Sequence, residues 1–200
     1  MIRALPISLA AVSGLIVALV SWRFLALGLE PAFPQMVAHI DHARLAFLAH
    51  VLAAPVALAL GAFQFMPRLR ANRRGVHRWS GRVYATAILI AGIGALGMTA
   101  TGNGGPVAQV GFGVLAVLWI GFTATAVRAA MTGRIEAHRR WMIRSYALTF
   151  AAVTVRIYLA PMMSSGMAYE EAIAILAWLC WVPNLAVAEL YLARRRWVTA

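Results

Sequence analysis

Six long apolar runs constrain this chain more than any other feature. They lie at about residues 4–27, 44–66, 81–101, 107–130, 141–163 and 171–193, and most of the charge falls between them or at their ends. A helix needs about 20 predominantly apolar residues to cross a bilayer, and each run has that length. The sequence therefore predicts an all-α protein: a single domain over residues 1–200, built as an integral membrane bundle of six transmembrane helices. Composition agrees. The chain is 62% hydrophobic and 12% charged, where soluble domains carry roughly 25% charged residues.

Breakers fall where such spans should end. Pro67 closes the second run, and "GNGGP" (102–106) and "SSGM" (164–167) read as tight turns. Pro55 and Pro183 lie inside spans and should kink them. The opening run, "MIRALPISLAAVSGLIVALVSW", is longer than a signal-peptide core and lacks a clear small-residue cleavage site. It reads as a retained first span.

Arginine sets the orientation. Every cation is arginine, and fifteen of the eighteen fall on one side: Arg3, the segment from Arg68 to Arg82, the segment from Arg128 to Arg144, and Arg194 to Arg196. The alternate side holds Arg23, Arg44 and Arg156 with Glu30, Asp41, Glu170 and Glu171. The positive-inside rule then places both the N and C termini in the cytoplasm, which six spans allow. The net charge of +12 is thus a topology signal and not a nucleic-acid face. Its natural counterpart is the anionic headgroups on the cytoplasmic side of the bilayer. Cys180 is the lone cysteine, so there is no intramolecular disulfide and no cysteine-based metal or iron–sulfur site. Glycines recur in span three (Gly92, Gly94, Gly97) and span four (Gly111, Gly113, Gly121). Small residues let helices approach closely in lipid, and packing between adjacent helices is expected of them.

A border motif occurs twice. "HRWSGRVYA" from His77 and "HRRWMIRSYA" from His138 align with one extra arginine in the second. His77 matches His138, Arg78 matches Arg139, Trp79 matches Trp141, Arg82 matches Arg144 and Tyr84 matches Tyr146. Each copy opens an outward-running span, so spans two–three and four–five read as a parallel repeat about an axis along the membrane normal. Trp, Tyr and Arg anchor a helix at the headgroup level, which leaves the paired histidines unexplained. Two histidines can supply both axial positions of haem b. Arg78, Arg82, Arg139 and Arg144 would then suit its propionates through bidentate bonds, with Tyr84 and Tyr146 alongside. A quinone is the alternative occupant. Glu136 is two residues from His138 and points elsewhere on a helix.

Ionisable groups at membrane depth are functional candidates by default. His50 and Arg156 lie at similar depth in the outer half and form a candidate polar site for an anionic or quinone-like ligand. Glu189 and Gln64 form an inner polar pair, with Arg82 or Arg144 the simplest ion partner for Glu189 and a structural bond to a neighbouring helix the simplest role for Gln64. "AHIDHAR" places His39, Asp41 and His42 at the outer surface. It reads as an exposed polar loop, or as a weak zinc or copper site.

The blocks "GAFQFMPRLRANRRGVHRWSGRVYA" and "AHRRWMIRSYALTFAAVTVRIYL" resemble the two signature blocks of a family of predicted bacterial multi-pass membrane proteins, domain of unknown function 2306. The likeness spans about Arg44 to Pro161. Its positions are Gln64, His77, Arg78, Gly81, Arg82, Tyr84, His138, Trp141, Met142, Arg144 and Arg156. The resemblance implies a helical bundle in the bacterial inner (cytoplasmic) membrane and no activity. The residues themselves show no nucleophile–base pair, phosphate-binding loop or dinucleotide fingerprint. Three function classes stand. The first is a redox-associated inner-membrane protein binding haem b or a quinone near the cytoplasmic face. The second is a small transporter or channel using His50, Arg156 and Glu189. The third is an accessory subunit of a respiratory or photosynthetic complex.

Overall fold

The apolar runs all become helix, because a backbone in hydrocarbon must satisfy its own hydrogen bonds. The structure, a computed structural model, describes residues 5–66, 71–102 and 104–197, and no strand occurs among them. Arg3, Pro67, Arg68, Arg70 and Asn103 lie outside the described residues, as do the side chains of Arg195 and Arg196. Eight helices carry the fold: α1 Leu5–Ser21, α2 Arg44–Gln64, α3 Arg74–Met98, α4 Gly105–Met131, α5 Ile135–Thr149, α6 Ala151–Ser164, α7 Tyr169–Leu179 and α8 Val182–Trp197. Among the described residues, five helical stretches are long and apolar enough to cross a membrane: 44–64, 74–101, 105–131, 135–164 and 169–194. The first run differs from the expectation of a full span. A turn at Trp22–Arg23 interrupts it, and its apolar helical stretch, Ala11–Leu27, is shorter than the other five.

The chain divides into two compact units, residues 1–102 and 103–200. In the first, α2 and α3 run antiparallel along their whole lengths, with α1 against α2. His50 of α2 meets Ala91 of α3 at one end and Gln64 meets Ser80 at the other. One face of α3, with Tyr84, Ile88, Ala91 and Met98, is buried at the three-to-four spacing of a helix stripe. Close approach needs glycine at two places. A Cβ on Gly94 would stand 2.5 Å from the Ala46 carbonyl oxygen, and one on Gly97 would stand 2.8 Å from Ala46 Cβ.

Residues 24–42 form a folded cap, and the "AHIDHAR" stretch, expected as an exposed polar loop, is helical over Val37–His42 with His39 buried. Short helices Phe24–Leu27, Leu29–Ala32 and Val37–His42 enclose an aromatic cluster of Phe24, Phe33 and Phe47 with Ile40, Val51 and Met98. Phe33 meets Phe47 edge-on at 5.2 Å, and the Arg23 guanidinium lies 4.8 Å over Phe33 while donating to the Ala32 carbonyl.

In the second unit α4 runs antiparallel to α5, α7 lies along α4, and α8 returns along α5. Gly111 sits where α4 meets α7, its notional Cβ 2.9 Å from the Ala177 carbonyl oxygen. Gly121 faces open space, so the packing role expected of it is not present in this unit. Two spans bend. Between α5 and α6, Thr149 and Thr154 bond back to the carbonyls of Ser145 and Phe150, four residues earlier in each case, which is a helix-bending habit. Between α7 and α8 the cause is Pro183. Its ring clashes with the carbonyl four residues earlier, and α7 ends at that residue, Leu179. Pro55, by contrast, is carried inside α2 without ending it.

Candidate functional site

The two border motifs occupy the same register on their helices. His77 is the fourth residue of α3 and His138 the fourth of α5. Each helix has an arginine at its N-cap, Arg73 and Arg134, with no side-chain cap bond. The backbone N–H of His77 donates to Arg73 O at 3.0 Å and that of His138 to Arg134 O at 2.9 Å. Both histidines are half-buried. The likeness therefore extends upstream of the aligned columns to a shared helix start, with Arg73 and Arg134 as matching N-caps.

His138 is held firmly. Its Nδ1 lies 2.9 Å from the carbonyl oxygen of Ala126 on α4. A carbonyl only accepts, so Nδ1 carries the hydrogen, which leaves Nε2 as the ring position free to coordinate. Three residues on, Trp141 lies 5.1 Å from Phe122, and the Arg144 guanidinium sits 4.7 Å over its ring.

The arginines of the motif divide by role. Arg144 makes a bidentate ion pair with Glu189, Nε to Oε1 at 2.5 Å and Nη2 to Oε2 at 2.8 Å. That edge of the guanidinium is engaged with Glu189, not held open for a propionate. Arg139 stands 3.7 Å from Glu136 at the surface, and Arg78 and Arg82 are exposed. Tyr84 is fully buried in the packing of its unit, whereas Tyr146 is half-buried and lies 6.3 Å from the Phe150 ring.

A family match covers residues 47–192, with the description "Predicted membrane protein (DUF2306)". The chain belongs to this family. Neither a curated protein nor a solved structure matches it. Within this DUF2306 chain the matched span includes both border motifs, His50, Arg156 and Glu189, and excludes His39, Asp41 and His42. The chain is thus a multi-pass membrane protein of an uncharacterised family.

The remaining candidates find partners inside their own units. His50 Nδ1 lies 2.9 Å from Ala91 O. Arg156 Nη1 donates to Ala152 O, one turn back on its own helix, at 2.6 Å. Gln64 is buried and donates to Ser80 Oγ on the neighbouring helix α3 at 2.7 Å, the structural bond expected of it. His39 is buried, 2.8 Å from Thr101 Oγ1 and stacked 6.4 Å from Phe47, while Asp41 and His42 are exposed. Among the described residues no three His, Cys, Asp or Glu side chains gather as a metal site. Burial, and secondly the charge of His50, hold the His39 pKa below its ordinary value.

Sequence reasoning passed over a buried polar circuit in the DUF2306 chain. Trp119 Nε1 donates to Thr149 Oγ1 at 2.8 Å, and Thr149 donates to Ser145 O at 3.0 Å. Thr123 Oγ1 donates to Trp119 O at 2.7 Å and lies 2.8 Å from Ser145 Oγ, which is then the donor. The i, i+4 pairs Trp119–Thr123 and Ser145–Thr149 were the available signal, since each sets two polar groups on one face of an apolar span. Asn184 is a second omission: its Nδ2 reaches Thr154 Oγ1 and Cys180 O, both at 3.0 Å. Such bonds join helices in lipid.

Proposed function

We propose that this DUF2306 protein is redox-associated and binds haem b at its basic, cytoplasmic side, with a quinone as the alternative occupant. One observation carries the reading: His138 Nδ1–H is fixed on Ala126 O at 2.9 Å. Metal-ligating histidines characteristically donate the other ring N–H to a carbonyl or carboxylate, which fixes the ring and directs the lone pair. A ring held with Nε2 free to coordinate suits iron. The carbonyl oxygen of an oxidised quinone would instead need a donor there. His77, in the same helix register, is the ligand that the first unit would offer. Arg78, Arg82 and Arg139 are exposed beside the two histidines and suit acidic substituents. Haem b would supply one-electron chemistry; the chain would supply ligation, orientation and charge.

The finer topology belongs to the same proposal. The helices over 5–27 add a sixth span, both termini lie in the cytoplasm of a bacterial inner membrane, and spans two–three and four–five are parallel repeats. The shared register of the two histidines supports the repeat. A respiratory or photosynthetic complex would be the electron partner.

The test is an absorption spectrum of the purified protein in mild detergent, air-oxidised and then dithionite-reduced, beside His77→Ala and His138→Ala variants shown to fold by circular dichroism. A Soret band and a reduced α-band, lost in the variants, support haem b. A colourless, folded protein from haem-replete cells overturns haem b, and flux assays on His50→Ala and Arg156→Ala vesicles then test the transport class.

A further inference from the structure

The turn joining α4 to α5 carries features that the haem reading does not use. A cleft of about 300 Å³ opens there, lined by Thr125, Arg128, Ala129, Arg134, Ala137 and Trp141. The turn fixes one of these arginines. Gly133 takes φ +72°, a left-handed conformation that favours glycine, and the chain folds back so that Arg134 N–H donates to Ala129 O at 2.9 Å. Arg134 Nε then donates to Thr132 Oγ1 at 3.1 Å. The backbone and the Nε edge of Arg134 are held, and its two terminal nitrogens are left for an outside acceptor. Arg128 faces the same cleft from the last turn of α4. Among the described residues neither guanidinium pairs with a carboxylate; Glu136, the nearby acid, is beside Arg139. Two of the lining positions, 129 and 137, are alanine, the smallest residue with a Cβ, so a larger side chain there would take up cleft volume.

We propose that this cleft is a binding site for a phosphate ester bearing a small polar substituent. Arg128 and Arg134 would clasp the phosphate, and Trp141 would pack against the substituent. Two guanidinium groups without a carboxylate partner among the described residues fit a dianion or a diester through charge-assisted, bidentate bonds better than any neutral ligand. The border position allows two sources of this chemistry, the headgroup of an anionic phospholipid or a soluble phosphate ester. The site uses neither His77 nor His138, so it stands or falls apart from the haem reading.

The experiment is native mass spectrometry of the full-length protein in mild detergent. It is titrated with short-chain phosphatidylglycerol, short-chain phosphatidylcholine and glycerol 1-phosphate. Saturable uptake of phosphatidylglycerol over phosphatidylcholine is expected. Arg128→Gln and Arg134→Gln should each weaken it about tenfold or more, the scale of one charged hydrogen-bonded pair. Ala137→Leu keeps both charges but takes up cleft volume, and should weaken uptake as much. Arg139→Gln removes an equal charge outside the cleft and should leave uptake unchanged. Binding of glycerol 1-phosphate to the same residues would identify a soluble ester as the source, and binding of the lipid alone a headgroup. Equal loss in Arg139→Gln, or no loss in the two cleft arginine variants, would overturn the site in favour of diffuse charge attraction. Each variant is first shown to keep its helical circular dichroism, and the arginine pair decides the matter if Ala137→Leu does not fold.

Discussion

Two glycine-to-alanine substitutions in this chain should have opposite signs. At Gly94 an added Cβ would lie 2.5 Å from Ala46 O, 2.9 Å from His50 N and 3.2 Å from Ala49 Cβ. Close C···O contacts between helices run about 3.3–3.6 Å, so α2 and α3 must part by roughly 1 Å. The two nearest atoms are backbone and cannot rotate away. A gap of that size forfeits about a quarter to a half of each dispersion contact it opens, and overpacking of this kind costs about 1–3 kcal/mol. Alanine returns up to about 1 kcal/mol in helix propensity. The net expectation for Gly94→Ala is a loss of about 1–2 kcal/mol. At Gly121 nothing lies within 4 Å, so only the propensity gain of up to about 1 kcal/mol remains. The assay is unfolding of each full-length variant in a denaturing-detergent titration, followed by circular dichroism. Equal midpoints for the two variants, or a larger loss at Gly121, would refute the assignment of Gly94 to the α2–α3 contact.

Glu189→Gln breaks the bidentate pair with Arg144, but the side chains are 47% and 16% exposed. Screening reduces the loss to about 1 kcal/mol, and a double-mutant cycle with Arg144→Gln should show coupling that shrinks in high salt. Thr123→Val and Ser145→Ala each remove the hydroxyl–hydroxyl bond buried between α4 and α5 and should cost about 0.5–1.5 kcal/mol. The double variant should cost less than the sum of the two. Burial, then the charge of His50, depresses the pKa of His39 below 6.5. Folding therefore favours its neutral form. That contribution is complete above about pH 6.5 and is lost as pH falls through the depressed folded value. The unfolding midpoint should drop on acidification below pH 6.5, and His39→Gln should flatten that slope; an unchanged slope would count against burial of His39.

Hydropathy located the spans because lipid contact is what it measures, and it misjudged helix ends for the same reason. The third span was expected from residue 81, yet α3 begins at Arg74. A helix continues into the headgroup layer wherever arginine stems can reach water, and Val76 and Trp79 alone, among Arg74, Gly75, His77, Arg78 and Ser80, make no apolar run to mark that extension. The cap over 24–42 escaped because helices of four to six residues are too short for a periodic signal. The six glycines looked alike in sequence. Only the neighbouring helix distinguishes Gly94, pressed on a carbonyl, from Gly121, which faces open space. The border histidines were legible through their repetition. The hydrogen on Nδ1 of His138 was not, since Ala126 lies twelve residues away and carries no side-chain signal.

The break before Pro183 has a consequence for how this sequence can vary. An interrupted turn inside a membrane exposes carbonyls to hydrocarbon, at several kcal/mol for each one left unmet. Here Trp181 Nε1 donates to Ala177 O at 2.7 Å and Asn184 Nδ2 to Cys180 O at 3.0 Å. The proline opens the helix, and its two polar neighbours satisfy carbonyls on either side of Leu179. Removing the proline alone would leave two donors competing with a continuous helix, and removing either donor alone would leave a carbonyl bare. Drift at these three positions should therefore be concerted: relatives that lose the proline should lose the tryptophan and asparagine with it, and the bend is inherited as one trait.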